Sequence, residues 1–166
     1  FNPAVDKTAQ VETLVTGGHN RLQNVRQDAG GKGINVSKTL KAIGVPSRAT
    51  GFLAGNAGQF IRERLTDLGI AHDFVEIRGN TRTNLKVLDA AMTLTELNEA
   101  GPACSADDIR RLEETLAAAE GILVLSGNVG PGVPEDIYRR LTETAQRRGL
   151  QVILDADGGL FREGIQ

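Results

Sequence analysis

Several features that mark other classes of protein are scarce or missing in this sequence. Its 166 residues include no tryptophan, one tyrosine and one cysteine, Cys104, so no disulfide can form within the chain. A single thiol fits a reducing compartment, and we expect the protein to work in the cytoplasm. No apolar run approaches the roughly 18 residues of a membrane-spanning helix. With 19 Lys and Arg against 21 Asp and Glu, the net charge of -2 lacks the basic excess typical of nucleic-acid-binding proteins.

Glycine, by contrast, is plentiful, and its 20 residues fall mainly at the ends of predicted elements, as in α/β proteins. Apolar periodicity and end signals predict helices over residues 30–44, 56–69, 105–119 and 134–149, and a helical pattern over 160–166. In the second of these, Asn56 and Gln59 resemble a capping box. Short apolar or alternating runs predict strands over residues 11–15, 22–26, 47–53, 72–77, 81–88, 92–97, 122–125 and 150–154.

The order of these elements predicts an α/β fold with a mostly parallel sheet and helices on both of its faces. The alternating segments 72–77, 81–88 and 92–97 do not fit that scheme, because alternation is typical of strands with one solvated face. We therefore expect them to form a small antiparallel flap beside the main sheet.

The stretch from Gly30 to Val36 is the most informative motif. Its glycines allow a backbone to approach a ligand closely, and the helix that follows offers free N–H groups and the positive end of its dipole. It is not a Walker loop, because Gly33 follows Lys32, and it is not a dinucleotide fingerprint, because Val36 replaces the third glycine. Taken alone, the pattern fits a ligand-binding turn and a simple packing turn equally well.

Five motifs occur in an order and spacing that resemble the PfkB carbohydrate kinases, in particular the branch of 1-phosphofructokinase and tagatose-6-phosphate kinase. They are N-P-A-V-D (residues 2–6), G-G-K-G-I-N-V (30–36), T-R-T-N-L-K (81–86), L-N-E-A-G-P (97–102) and S-G-N-V-G-P-G-V-P (126–134). The resemblance covers the whole chain and corresponds to roughly the first half of a family member.

The resemblance implies a ribokinase-like three-layer α/β/α sandwich with a small β-sheet lid. Residues 1–166 would form the N-terminal part of one kinase domain, with lid strands roughly within residues 8–26 and 71–98. Lid strands in this family often pair two subunits, so a homodimer is expected.

The resemblance also implies which residues bind the acceptor sugar. Asp6 would hydrogen-bond sugar hydroxyls, although an aspartate in a turn after Pro3 is the alternative. Arg82 would bind the phosphate already on the substrate, for which a guanidinium is suited, although a solvated strand charge is the alternative. The other expected substrate-binding residues are Gly31, Lys32, Gly33, Asn35, Lys86, Arg21 and Ser126.

The implied reaction is ATP-dependent phosphorylation of a ketose phosphate, most simply fructose 1-phosphate to fructose 1,6-bisphosphate. Tagatose 6-phosphate is the alternative acceptor, and a non-catalytic sugar-phosphate-binding module is the alternative if the natural chain ends near Gln166. The family's catalytic aspartate, in a G-A-G-D motif, and its N-x-x-E segment do not occur in these residues. We therefore expect the catalytic base beyond Gln166, with ATP and Mg²⁺ bound mainly there, and we assign no metal ligand within the chain.

The sequence departs from the family's usual pattern near the expected cleft. At residues 126–132 the family usually has S-G-S-L-P-P-G, whereas this sequence has Asn128, Val129 and Gly130 at the third, fourth and fifth positions. Ala100 replaces a proline. Asp157 stands where the family usually has serine in D-x-S-G. These departures leave the choice of sugar open.

Overall fold

The computed structural model describes residues 1–166, which form eight strands and five helices. The strands are β1 (Ala4–Gln10), β2 (Gln23–Gly30), β3 (Arg48–Leu53), β4 (Ala71–Glu76), β5 (Arg82–Leu88), β6 (Leu94–Asn98), β7 (Ile122–Ser126) and β8 (Gln151–Asp155). The helices are α1 (Lys32–Ala42), α2 (Gly55–Asp67), α3 (Ala106–Leu116), α4 (Ile137–Arg147) and α5 (Gly158–Gly164). None of the helices has the length and apolar composition needed to cross a membrane.

The strands form one four-stranded sheet and two separate pairs. The four-stranded sheet has the order β2-β1-β5-β6, with β1 and β5 parallel and the two outer strands antiparallel to their neighbours. The pairs β3–β4 and β7–β8 are both parallel. Helix α2 connects the first pair and α4 the second, as parallel strands require a crossover.

Helices pack on both faces of the β3–β4 pair. Leu53 of β3 belongs to one apolar cluster with Ile34 of α1 and Ile61 of α2. Phe52, whose side chain points to the opposite face, belongs to a second cluster with Ile109 of α3 and side chains of α4. The expectation of an α/β fold with helices on both faces is therefore confirmed.

One prediction at the start of the chain was wrong, as was the alternative that placed Asp6 in a turn. Residues 11–15 form no strand; the strand is β1, which begins directly after Pro3 and contains the N-P-A-V-D motif. Proline cannot donate a ladder hydrogen bond but is tolerated just before a strand, so Pro3 does not mark a turn. Asp6 is consequently a strand residue.

The strand over residues 72–77 was also assigned to the wrong place. Strand β4 pairs in parallel with β3 and makes no ladder with β5 or β6, so it lies outside the four-stranded sheet. The physical reason is that Phe74 and Val75 are both buried, in opposite apolar clusters, so this strand is covered on both faces.

Helix starts were predicted with mixed success. The helix predicted from residue 105 starts where expected, and it has a capping box in which Ser105 Oγ accepts from the Asp108 N–H at 3.2 Å. Helix α2 has none: it begins at Gly55, and no side chain caps it. The N-cap residue, Ala54, instead donates its N–H to Thr81 Oγ1 at 2.8 Å, a contact between distant segments that fixes the start of the helix against the residue that precedes β5.

Candidate functional site

The pairing of β1 with β5 brings a charged cluster together on one face of the four-stranded sheet. Asp6 lies directly opposite Asn84 in the parallel register, and Asn84 Nδ2 donates to Asp6 Oδ1 at 3.1 Å. Lys86, two residues further along β5, places Nζ 3.6 Å from Asp6 Oδ2. Alternation along the strand puts Arg82 on the same face.

Gly30 at the end of β2 makes room for the Asp6 carboxylate. A Cβ at position 30 would lie 2.3 Å from Asp6 Oδ2, a distance that no side chain could accept. The carboxylate therefore lies over bare backbone at the turn that leads into α1, and any larger residue at position 30 would displace it.

Arg82 begins β5 and reaches back to the start of the chain. Its Nε donates to the backbone oxygen of Asn2 at 3.2 Å, and the side chain is partly buried. Burial lowers the pKa of the guanidinium, while the charge of Asp6 opposes that shift. The terminal amino groups of Arg82 make no hydrogen bond or ion pair with the protein, so they are free to bind an anion.

Helix α1 starts at the glycine turn, and its first residue faces a second charged cluster. Gly31 is the N-cap with φ 103°, a conformation that favours glycine, and a Cβ there would lie 3.1 Å from Pro3 Cα. Lys32 Nζ lies 3.3 Å from Asp155 Oδ1 and 3.4 Å from Asp157 Oδ2. Hydrogen bonds to Asp155, and then to Asp157, raise the pKa of Lys32.

Ser126 joins this second cluster from the carboxyl end of β7. Its Oγ donates to Asp155 Oδ2 at 3.2 Å, across the ends of the paired strands β7 and β8. The buried Tyr138 of α4 donates its hydroxyl to the backbone oxygens of Ser126 and Gly127, at 3.3 and 3.0 Å. Burial raises the pKa of this phenol, which therefore acts as a neutral donor that fixes the end of β7.

Three of the expected site residues make no contact with either cluster. Gly33 has open space around the position of a Cβ, and the exposed Asn35 side chain makes no hydrogen bond. Arg21 is exposed in the segment between β1 and β2 and forms no ion pair. The lone cysteine, Cys104, is buried, which raises the pKa of its thiol to about 11.

Three residues of these clusters, Asn84, Asp155 and Asp157, had no assigned role in the sequence analysis. Asn84 shares the face of Arg82 by alternation, which is the signal that could have identified it. Asp157 was noted only as a departure from a familiar pattern, and its pairing with Lys32, 125 residues away, has no local signal.

Together the two clusters combine cations with hydrogen-bond acceptors. Arg82 and Lys86 provide positive charge beside Asp6, and Lys32 provides it beside Asp155. The glycine turn links the two clusters, because Gly30 lies over the Asp6 carboxylate and Gly31 begins the helix that carries Lys32. Carboxylates accept from hydroxyl groups, and guanidinium and ammonium groups bind phosphate, so this arrangement suits a ligand that carries both.

Comparison with known proteins identifies the family. The model of the pfkB family of carbohydrate kinases matches residues 1–166. The chain belongs to the PfkB family. A protein from Thermotoga maritima described as a possible 1-phosphofructokinase is 34% identical, with a TM-score of 0.86 over 99% of this chain. Phosphofructokinase-2 from Escherichia coli in complex with fructose-6-phosphate is 28% identical over 98% of it, with a TM-score of 0.92, and its tetrameric inhibited form gives 0.93 over 99%.

These relatives are longer than this chain, which spans 54% of the T. maritima protein and 55% of the E. coli enzyme. The match confirms the ribokinase-like α/β fold that the motifs implied.

Proposed function

We propose that this chain is the acceptor-binding part of a sugar-phosphate kinase that transfers the terminal phosphoryl group of ATP to a hydroxyl of a ketose phosphate. The observation that carries the proposal is the Asp6 cluster, where one carboxylate lies beside Lys86 and on the same sheet face as Arg82. A sugar phosphate offers hydroxyls to the carboxylate and a phosphate to the cations.

The roles follow from the chemistry of each group. Asp6 accepts hydrogen bonds from sugar hydroxyls, and Arg82 binds the phosphate already on the substrate with its free amino groups. Lys86 supports both interactions, because its ion pair balances the charge of Asp6 and its ammonium group adds positive charge to the sheet face that carries Arg82. The further substrate-binding residues in this proposal are Gly31, Lys32, Gly33, Asn35, Arg21 and Ser126.

ATP is the proposed phosphoryl donor, with Mg²⁺ bound to its phosphates. No group of three or more His, Cys, Asp or Glu residues is placed to hold a metal ion in residues 1–166. We therefore assign no residue of this chain to the ion. The catalytic base and the nucleotide pocket are expected beyond Gln166, and phosphoryl transfer itself relies chiefly on positioning and charge neutralisation.

Fructose 1-phosphate is the first choice of acceptor. The T. maritima relative described as a possible 1-phosphofructokinase favours it, whereas the E. coli complex contains fructose-6-phosphate and makes that sugar a competing candidate. Tagatose 6-phosphate is the third candidate acceptor. A non-catalytic sugar-phosphate-binding module is the alternative from a different functional class.

We also propose that the whole protein is a cytoplasmic homodimer joined through the four-stranded sheet. Val25 of β2 and Leu97 of β6 are 46% and 57% exposed, and both lie on the face opposite Asp6. Exposed apolar side chains on a sheet face favour burial against a second copy. The tetrameric form of the E. coli relative supports assembly of this fold.

The test is a kinase assay of the whole protein with a panel of acceptors. ADP formation is measured with fructose 1-phosphate, fructose 6-phosphate, tagatose 6-phosphate and unphosphorylated fructose. We expect the highest kcat/KM with fructose 1-phosphate and a much lower value with fructose. Equal values for the phosphorylated and free sugars would contradict the phosphate site, and binding without any ADP formation would favour the non-catalytic module.

A further inference from the structure

Asn84 lies beside Asp6, and only half of its amide is paired. Nδ2 donates to Asp6 Oδ1 at 3.1 Å, whereas Oδ1 is buried and has no hydrogen-bond partner. Burying an unpaired acceptor costs free energy, so stability alone does not explain this side chain. Such departures from full hydrogen bonding occur preferentially where function sets the residue.

The contacts around Asp6 show what the paired half of the amide achieves. The backbone at Gly30 gives the carboxylate room but donates no hydrogen bond to it, and Lys86 Nζ, 3.6 Å away, attracts it without a directional hydrogen bond. The Asn84 donor is the one side-chain hydrogen bond that Asp6 receives. It therefore determines the direction in which the carboxylate faces.

We propose that Asn84 is a positioning residue that holds the Asp6 carboxylate in the orientation that receives the acceptor sugar. An ionised carboxylate offers about four lone-pair positions, and Asn84 occupies one of them, so the remaining positions stay open to sugar hydroxyls. This inference rests on the proposed function, because it gives Asn84 a role only if Asp6 binds the acceptor.

The first experiment compares two asparagine variants of the whole protein. Asn84→Ala is expected to raise the KM for the sugar phosphate about tenfold, since a charge-assisted hydrogen bond is lost, with little change in the KM for ATP. The control is Asn98→Ala, because Asn98 lies opposite Asn84 in the same row of the sheet but is exposed and does not contact Asp6. It is expected to leave both KM values unchanged.

A double-mutant cycle shows whether Asn84 acts through Asp6. In the Asp6→Ala background, Asn84→Ala should cause no further loss of sugar-phosphate binding, measured by calorimetry without ATP. Thermal unfolding of the same variants separates a positioning role from a structural one, because a structural role would lower Tm and weaken binding equally in both backgrounds.

Each outcome decides a different question. An active wild-type enzyme with an unchanged sugar-phosphate KM in Asn84→Ala would overturn the role of Asn84 and leave the proposed function intact. Additive losses in the cycle would overturn the coupling to Asp6. A wild-type protein that neither binds nor phosphorylates any sugar phosphate would overturn the proposed function and this inference with it.

Discussion

Replacing Arg82 tests the phosphate site most directly. The guanidinium uses only Nε within the protein, in its 3.2 Å hydrogen bond to the backbone oxygen of Asn2. Its terminal amino groups remain available for a planar, two-point contact with a phosphate, which a lysine ammonium cannot reproduce. We therefore expect Arg82→Ala to weaken binding of a phosphorylated sugar, and Arg82→Lys to restore only part of the loss.

The magnitude follows from the kind of contact that is lost. Hydrogen bonds to charged groups contribute about 1.5–3 kcal/mol each. Removal of one such contact corresponds to a rise of about tenfold to a hundredfold in KM when binding is lost equally from the ground state and the transition state. The hydrogen bond from Arg82 to the backbone oxygen of Asn2 has an uncharged acceptor, so its loss adds less to the free-energy cost of the substitution.

Steady-state kinetics of the whole protein provide the assay. Arg82→Ala should raise the KM for fructose 1-phosphate at least tenfold, by the estimate above, and should barely change any activity on free fructose. The matched control is Arg48→Ala, since Arg48 is an exposed strand arginine without an ion pair. An unchanged KM for the phosphorylated sugar in Arg82→Ala would show that this residue is a solvated strand charge and would refute the placement of the phosphate site.

Three further perturbations test other parts of the reasoning. Asp6→Ala should raise the sugar KM by about tenfold or more and leave the KM for ATP nearly unchanged; a change confined to ATP would contradict its role. Burial alone would raise the pKa of Asp28, but hydrogen bonds from Lys38 and Arg64 lower that pKa overall. The ionised Asp28 therefore stabilises the fold at pH values above the ordinary pKa of aspartate, and this stabilisation is lost as the pH falls. Asp28→Asn should therefore lower the urea midpoint at pH 7, and this deficit should shrink as the pH falls below the ordinary pKa of aspartate. A deficit that stays the same across that pH range would disprove the linkage. The isolated 166-residue chain should form no sugar-dependent ADP, and measurable turnover by the purified chain would require a base among its own residues.

The fold could be predicted from sequence where local patterns determine structure. Apolar periodicity and end signals located the helices, and the helix predicted from residue 105 does begin there, with Ser105 as its N-cap. The errors arose where tertiary contacts override local signals. Residues 72–77 were interpreted as a half-exposed strand, although the adjacent apolar residues Phe74 and Val75 are typical of a strand covered on both faces.

The site was predictable in composition but not in geometry. Motif resemblance identified Asp6, Arg82 and Lys86, which do share one sheet face. It could not reveal that Asn84 pairs with Asp6 across 78 residues, because no local pattern records a contact between distant strands. The binding roles of all these residues stay predictions until the variants are measured.

The parallel pairing of β1 with β5 also has a consequence for how the protein reaches its native state. Everything from residue 11 to residue 81, including two helices and three strands, forms the crossover between these two strands. Closing so long a loop costs conformational entropy that must be offset before the pairing is favourable, and contacts of this kind form slowly. The Asp6 cluster is therefore expected to be among the last features to assemble. A substitution in the remote core that slows the pairing of β1 with β5 would delay the appearance of sugar binding during refolding, although the substituted residue does not contact the sugar.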